Sequence, residues 1–160
     1  MGVITDQLEV SCALPAAKMF KGFVLEADDI FPKVMPQAIK SAELIEGDGG
    51  PGSIRKVNIV AGDKPAYLKQ KVDALDKESF SFSYTIFEGE ILDNKFEKIC
   101  HESKWESSPD GGSIFKSTAK FYALPGFEGA ENFISNEKQK AIALIKAVEA
   151  HLRPINPDAC

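Results

Sequence analysis

Four glycines within eight residues, between two strand-like segments, form the pattern most suggestive of a chemical site. They are Gly47, Gly49, Gly50 and Gly52 in the run EGDGGPGS. A glycine-rich loop that binds phosphate ends in Gly-Lys-Ser/Thr and opens a helix, whose N-terminus faces the anion. Here Gly52 is followed by SIRKVNIV, a β-branched stretch that predicts a strand. We therefore interpret the run as a rigid turn that needs positive φ at several positions, and not as a nucleotide site.

The two histidines and three cysteines are the other side chains suited to chemistry. An imidazole can donate, accept or titrate near neutral pH, so His101 is a candidate ligand hydrogen-bonding group, or a general acid or base. A histidine without any chemical role is the third possibility. Cys12, Cys100 and Cys160 are odd in number and far apart, which predicts neither a disulfide framework nor a zinc site. They fit a reducing compartment, and we expect no metal and no cofactor.

Composition favours one soluble domain over residues 1–160 and argues against some partners. The formal net charge is −5 and the charges of both signs are interspersed, so no basic patch indicates DNA or an anionic membrane. No apolar run has the length of a membrane span, and the first residues lack a basic segment followed by an apolar one. We expect an unsecreted, cytoplasmic monomer.

Alternation of apolar and polar residues predicts seven strands in an almost entirely antiparallel sheet. The clearest is FSFSYTI at residues 80–86, with large side chains on one face and hydroxyls on the other. The others are residues 4–12, 39–46, 53–60, 67–75, 96–106 and 113–122. Two short helices are expected, one after Pro15 and one at residues 28–33. From residue 130 to 153 the period becomes helical, and Pro154 ends the apolar stripe.

A long helix with one apolar stripe must pack on the concave face of a curved sheet, which predicts an α+β helix-grip fold. Curving seven strands around one helix leaves interior volume for a hydrophobic cavity. If Phe82 and Tyr84 point inward, alternation places the following side chains on the same face: Arg55, Val57, Ile59, Tyr67, Lys69, Ile86, His101, Phe115 and Ser117. Core packing is the alternative role of Phe82 and Tyr84.

Four further segments of the sequence are informative together: PAAKMFK at residues 15–21, FPKVMPQAI at 31–39, the glycine run at 46–52 and YTIFEG at 84–89. This combination resembles the birch major pollen allergen family, the class-ten intracellular pathogenesis-related proteins of plants. The family signature at residues 89–121 is also filled, by Gly89, Glu97, Cys100, DGGS at 110–113, Lys116 and Phe121. The resemblance spans nearly the whole chain.

This resemblance implies a large forked cavity beneath the sheet, closed by two short helices in a V. It implies a carrier or buffer for amphipathic plant metabolites (flavonoids, cytokinins, brassinosteroids and fatty acids), linked to defence, stress and allergenicity. Relatives contact steroid-like ligands at the positions of Arg55, Phe82, Tyr84 and His101. In this chain Arg55 stands where a lysine is usual, Phe82 where a tyrosine is usual, and His101 where an asparagine is usual. Tyr84 replaces no other residue. Lys138 and Ala141 on the long helix complete the expected ligand contacts.

Catalysis is the alternative function that the resemblance raises. Some members are credited with weak ribonuclease activity at positions matching Glu97, Glu149 and His151, and a carboxylate pair with an imidazole could move the protons. An acidic protein would repel RNA, so solvated surface charges are the alternative interpretation. Distant relatives condense or isomerise alkaloid precursors with a buried lysine or acid, for which Lys69 and Lys138 are the nearest candidates. A hormone receptor is disfavoured, because the gate and latch sequences of abscisic acid receptors are absent.

One loop departs from the family pattern. Most relatives have Tyr-His-Thr-Lys-Gly-Asp after the seventh strand, whereas this chain has YALPGFE at residues 122–128. We expect the apolar Leu124 and Phe127 to border the cavity mouth, where they would narrow it or make it more apolar.

Overall fold

The computed structural model describes residues 2–61 and 64–153. The strands are β1 (Gly2–Cys12), β2 (Ile39–Glu46), β3 (Ile54–Ala61), β4 (Lys64–Asp76), β5 (Ser81–Gly89), β6 (Phe96–Ser107) and β7 (Ser113–Ala123). The helices are α1 (Ala16–Phe20), α2 (Ala27–Val34) and α3 (Ala130–Leu152), with a π-helical turn at Lys21–Leu25 and a 3-10 turn at Glu90–Leu92. The expected helix stop at Pro154 and the cysteine at 160 lie outside the described residues.

All the strands belong to one antiparallel sheet in the order β1-β7-β6-β5-β4-β3-β2. The predicted α+β architecture is confirmed, and each strand lies within three residues of its expected bounds. Residues directly opposite on neighbouring strands share a face of the sheet. The row of Val10, Phe115 and Trp105 is deeply buried, and it marks the concave face.

The concave face holds two separate clusters of buried apolar side chains. The elbow cluster surrounds Phe20 and Trp105, and the far cluster surrounds Phe96 and Phe121. Helix α3 spans both, because Ile134 packs in the far cluster and Ile145 in the elbow cluster. Burial of these apolar surfaces is the main force that holds the helix on the sheet.

The two short helices form an elbow that packs against the end of α3. Helix α1 begins after Pro15, whose fixed φ suits the start of a helix. The π-helical turn then joins α1 to α2, where the sequence predicted two simple helices. A Cβ atom on Gly22 would lie 2.5 Å from a methyl carbon of Leu152. Glycine at this position therefore lets the elbow approach α3 closely.

Candidate functional site

The strand register places most of the predicted contact residues on the concave face. Those found there are Arg55, Val57, Ile59, Phe82, Tyr84, Ile86, His101, Phe115 and Ser117. Phe82, Ile86 and Phe115 are buried among apolar neighbours. The other six are only half-buried, although they face the interior.

The prediction that Tyr67 and Lys69 face inward is wrong. In the register of β3 with β4 they oppose Asn58 and Lys56, whereas the inward Val57 opposes Leu68. Both side chains therefore lie on the convex face. There the Tyr67 hydroxyl donates to the Glu88 carboxylate at 2.7 Å, and the Lys69 ammonium contacts the same carboxylate at 3.2 Å. Lys69 thus lies on the far side of the sheet from any interior substrate.

Tyr84 and His101 face each other near the middle of the concave face. Their rings are stacked, with centroids 4.9 Å apart and planes inclined by 19°. Burial lowers the pKa of His101 to about 4, and burial with the nearby Glu137 charge raises the pKa of Tyr84. Both rings are therefore neutral at pH 7. Within residues 2–61 and 64–153 neither side chain makes a hydrogen bond, so their polar atoms can bond a ligand.

The middle of α3 contributes Lys138 and Ala141 to the interior. Both are half-buried and lie between the buried Ile134 and Ile145 at helical spacing. The Lys138 ammonium lies 3.7 Å from the carboxylate of Asp6 on β1. Asp6 opposes Ala119 of β7 in the row that contains His101, so this ion pair links α3 to the edge of the sheet.

The three ribonuclease candidates do not come together. Phe96, the neighbour of Glu97, packs against Phe133 in the first turns of α3. Glu149 lies sixteen residues further along the helix, a distance of about 24 Å at 1.5 Å per residue. His151 is exposed near the helix end. A carboxylate pair with a shared imidazole is therefore not formed.

Glu149 has a structural role instead. The expectation that it is a solvated surface charge is wrong, because Glu149 is only 5% exposed. Its carboxylate accepts a hydrogen bond from the Ala13 backbone N–H and lies 3.6 Å from Lys146 and 3.8 Å from Arg153. Together with burial, this charge raises the pKa of the neighbouring Cys12 thiol. Glu149 therefore ties the segment after β1 to α3.

Backbone N–H groups of the glycine loop between β2 and β3 are hydrogen-bonded within the protein. Gly47, Gly49 and Gly52 have positive φ, as the sequence predicted for several of these positions. The Gly49 N–H donates to Ser53 Oγ at 2.8 Å, the Gly50 N–H to Asp48 Oδ1 at 2.9 Å, and the Gly52 N–H to the Val72 carbonyl at 2.8 Å. These three donors are not available to a phosphate, which agrees with the interpretation of the loop as a turn.

A pocket of about 450 Å³ opens between the glycine loop, the π-helical turn and the ends of β4 and β5. Its apolar wall comes from Val24, Leu25, Leu75 and Phe82, and Arg55 is the least exposed charged group in it. The Phe82 ring lies 5.3 Å from that of Tyr84, which in turn stacks on His101. A row of rings therefore leads from this pocket to the middle of the concave face.

A wider depression of about 590 Å³ lies on the convex face. Most of its lining residues point outward in the register, whereas Leu8, Ser103 and Ser117 between them face inward, and its two lysines contact Glu106. Among the described residues there is no group of His, Cys, Asp or Glu side chains that could hold a metal ion. The described helices also include none with the length and apolarity needed to cross a membrane.

Phe127 and Leu124 lie at the end of the molecule away from the Arg55 pocket. The Phe127 ring meets that of Phe96 edge-on at 5.3 Å, in the far cluster. The Leu124 N–H donates to the Lys95 carbonyl at 2.8 Å. The pocket beside the glycine loop is therefore not bordered by this unusual loop.

Sequence reasoning missed several inward polar groups. Gln70 opposes both Arg55 and Ile86, and Ser103 opposes Phe82, so both face inward. Asp28 on α2 lies 3.6 Å from Arg55. The apolar residues Ala66, Leu68 and Val72 were the signal that the even-numbered residues of β4 face inward as far as Val72.

The comparisons with known proteins agree with this fold. The Pathogenesis-related protein Bet v 1 family matches residues 1–154. Major allergen Pru av 1 of Prunus avium is 45% identical over 159 residues, and the alignment covers 99% of each chain. Major pollen allergen Cor a 1 isoforms 5, 6, 11 and 16 of Corylus avellana are 43% identical over 152 residues, 95% of each chain.

Solved structures are similar as well. The crystal structure of Ara h 8.0201 has a TM-score of 0.85 at 35% identity, and the match covers 94% of this chain and 98% of that chain. Major latex-like protein 151 of Panax ginseng has a TM-score of 0.80 at 16% identity, covering 95% and 99%, and shares the fold.

A curved antiparallel sheet that grips one long helix defines the helix-grip class of proteins. Within that class, the chain belongs to the Pathogenesis-related protein Bet v 1 family, as its sequence segments indicated.

Proposed function

We propose that this protein binds amphipathic small molecules between the concave face of the sheet and α3, and acts as a carrier or buffer for them. The observation that supports this most is the accessible surface of the inward-facing Tyr84 and His101, which lie between the elbow and far clusters. Tyr84 packs at the edge of both, yet it and His101 remain only half-buried. Protein interiors are normally close-packed, so inward side chains that keep accessible surface indicate enclosed space.

The chemistry of this region favours ligands with a flat apolar body and a few polar groups. Phe82, Tyr84 and His101 offer ring faces, and the Tyr84 hydroxyl and the His101 nitrogens can each bond a ligand hydroxyl or carbonyl. Binding sites for small molecules typically combine apolar walls with a few such polar groups. Flavonoids, cytokinins, brassinosteroids and fatty acids fit this description, and a defence-related role in the cytoplasm is part of the proposal.

The enzymatic alternatives receive less support from the site. The ribonuclease candidates are separated, because Glu97 lies on β6 beside the first turns of α3 whereas Glu149 and His151 lie near the end of α3, and Lys69 faces outward. Lys138 faces inward but pairs with Asp6. We therefore place binding ahead of condensation or isomerisation of metabolites.

Fluorescence of Trp105, the only tryptophan, can test binding. Trp105 is 1% exposed in the elbow cluster, so a UV-absorbing ligand in the interior should quench it by energy transfer. We expect a panel of hydroxylated flavonoids to quench it saturably, and mass spectrometry of each mixture to detect no new product. Absence of saturable binding across the panel would contradict the proposal, and turnover would favour the enzyme.

Tyr84→Phe tests where such a ligand binds. Removing one hydroxyl should weaken binding of a hydroxylated flavonoid by about three- to tenfold, the effect of one neutral hydrogen bond. Tyr122→Phe is the matched control, because Tyr122 pairs with Val3 and Lys98 on the convex face. Equal affinities of the Tyr84→Phe variant and the parent for every hydroxylated ligand would remove Tyr84 from the site.

A further inference from the structure

The Arg55 guanidinium has unusually few bonding partners for a charge that is so little exposed to water. The Arg55 side chain is 13% exposed, and its Nε is fully buried with no hydrogen-bond partner among the described residues. Within the described part of the chain its one ion contact joins Nη1 to Asp28 Oδ1 at 3.6 Å, which is longer than a hydrogen bond. A buried cation normally has several hydrogen-bonded partners, because removing its charge from water is costly.

The surroundings of Arg55 leave room for such a partner. Arg55 lines the 450 Å³ pocket beside the glycine loop, with the apolar Leu75 and Phe82 next to it. Asp48 also lines this pocket, but its Oδ1 accepts the Gly50 N–H within the loop. Lys77, exposed at the rim, adds a second positive charge.

We propose that Arg55 binds the carboxylate of an amphipathic ligand, which takes the place of Asp28 on the guanidinium. A guanidinium presents paired N–H groups that fit a carboxylate with two parallel hydrogen bonds, which the 3.6 Å contact with Asp28 does not provide. The apolar body of the ligand then lies along Phe82 towards Tyr84, whose rings are 5.3 Å apart. This inference rests on the proposed binding function and specifies its ligands as amphipathic acids.

A matched pair of probes separates the acid from the apolar body. The fluorescent fatty acid 11-(dansylamino)undecanoic acid and its methyl ester differ only in the charged group. At pH 7.5 we expect the parent protein to bind the acid about tenfold more tightly than the ester, the effect of one charge-assisted interaction. If neither probe binds the parent, the binding function itself fails. If both bind equally, binding stands and the role of Arg55 is overturned.

Three substitutions and one control variant test whether Arg55 causes this preference for the acid. Arg55→Gln should weaken binding of the acid about tenfold and leave binding of the ester unchanged. Arg55→Lys keeps the positive charge but lacks the paired N–H groups of the guanidinium, so its affinity for the acid should lie between those of the parent and Arg55→Gln. Asp28→Asn should strengthen binding of the acid about threefold and leave binding of the ester unchanged, because it removes a carboxylate that competes for the guanidinium. Lys71→Gln, which removes the same charge from an exposed position on the convex face, should change neither probe by more than about twofold.

The pattern of losses decides the outcome. An equal loss of acid and ester in Arg55→Gln would make Arg55 a packing residue and overturn the proposal. So would unchanged acid affinity in Asp28→Asn, which keeps the parent's shape and does not depend on the folding of the Arg55 variants.

Discussion

At the scale of single residues, His101, which faces the interior of the protein, makes stability depend on pH. Its pKa is about 4 in the folded protein against 6.5 for an ordinary histidine, because burial disfavours the charged form. Between these values the unfolded chain binds more protons than the folded one, so the free energy of unfolding rises with pH. Lowering the pH from 6.5 to 4 should therefore cost the parent protein on the order of 2 to 3 kcal/mol through this group.

Urea unfolding of the parent and His101→Asn at pH 7, 5.5 and 4 measures this contribution. Carboxylates change stability over the same range in both proteins, so the difference between the two curves is the informative quantity. We expect His101→Asn to lose less stability in acid. His151→Asn, at an exposed position, should follow the parent curve. Parallel curves for the parent and His101→Asn would contradict a buried neutral imidazole.

The prediction of the wrong face for Tyr67 and Lys69 has a physical origin in the sheet. Period-two alternation tells which residues share a face within one strand, but it does not relate the faces of two strands across a turn. Phe82, Tyr84 and His101 were placed correctly because their strands alternate cleanly. In β4 the polar Gln70 breaks the apolar series, and the extra residue Asp73 between Val72 and Ala74 reverses the parity, so that Val72 opposes the inward Tyr84 while Leu75 opposes the inward Phe82. Tyr67 was therefore assigned to the wrong face.

At the scale of elements, the glycine loop is set by backbone geometry. A Cβ atom on Gly47 would lie 2.4 Å from Ser53 Oγ, whereas one on Gly49 would meet nothing within 4 Å. Both glycines have positive φ, so an alanine at either position costs about 1 to 2 kcal/mol in backbone strain. Gly47→Ala should lose about 1 to 3 kcal/mol more, because Ser53 is buried and has to move.

Chemical denaturation of the two alanine variants distinguishes these contributions. Since both substitutions reduce the freedom of the unfolded chain equally, the difference between them reports the contact with Ser53. Equal free energies of unfolding for Gly47→Ala and Gly49→Ala would mean that the loop adjusts at no cost.

The type and order of the helices and strands were predictable, because the periodicity of apolar residues in them is strong. Local irregularities and contacts between elements were not predictable. The sequence identified the strands and α3, whose apolar stripe includes Ile134 and Ile145. It did not reveal the π-helical turn between α1 and α2, because one extra residue in a helical turn leaves no local signature in Lys21–Leu25. The contact of Asp28 with Arg55 was equally hidden, since it joins two elements that are distant in sequence.

At the scale of the whole molecule, the two apolar clusters hold α3 against the sheet at its two ends, on either side of Tyr84 and His101. The elbow cluster fixes one end of α3 through Ile145 and Val148, and the far cluster fixes the other through Ala130 and Ile134. A helix held at both ends needs no close packing in the middle. This arrangement is compatible with the interior space that the proposed ligand binding requires.

A larger side chain in the proposed interior space should weaken ligand binding without lowering the stability of the protein. Ala141 is half-buried on the inner face of α3, midway between the two clusters. If space is enclosed there, Ala141→Phe changes the free energy of unfolding by less than about 1 kcal/mol, whereas overpacking a close-packed site costs about 1 to 3 kcal/mol. The same substitution should weaken flavonoid binding about tenfold or more, because the new ring occupies the position of the ligand.

Ala130→Phe is the control for this experiment, since Ala130 is 7% exposed in the far cluster. We expect Ala130→Phe to lose the stability that Ala141→Phe keeps, because its added ring must displace close-packed neighbours such as Ile134. Urea unfolding and Trp105 quenching on the same samples give both quantities. Should Ala141→Phe lose as much stability as Ala130→Phe, the interior is packed throughout, and ligands would have to bind at the Arg55 pocket alone.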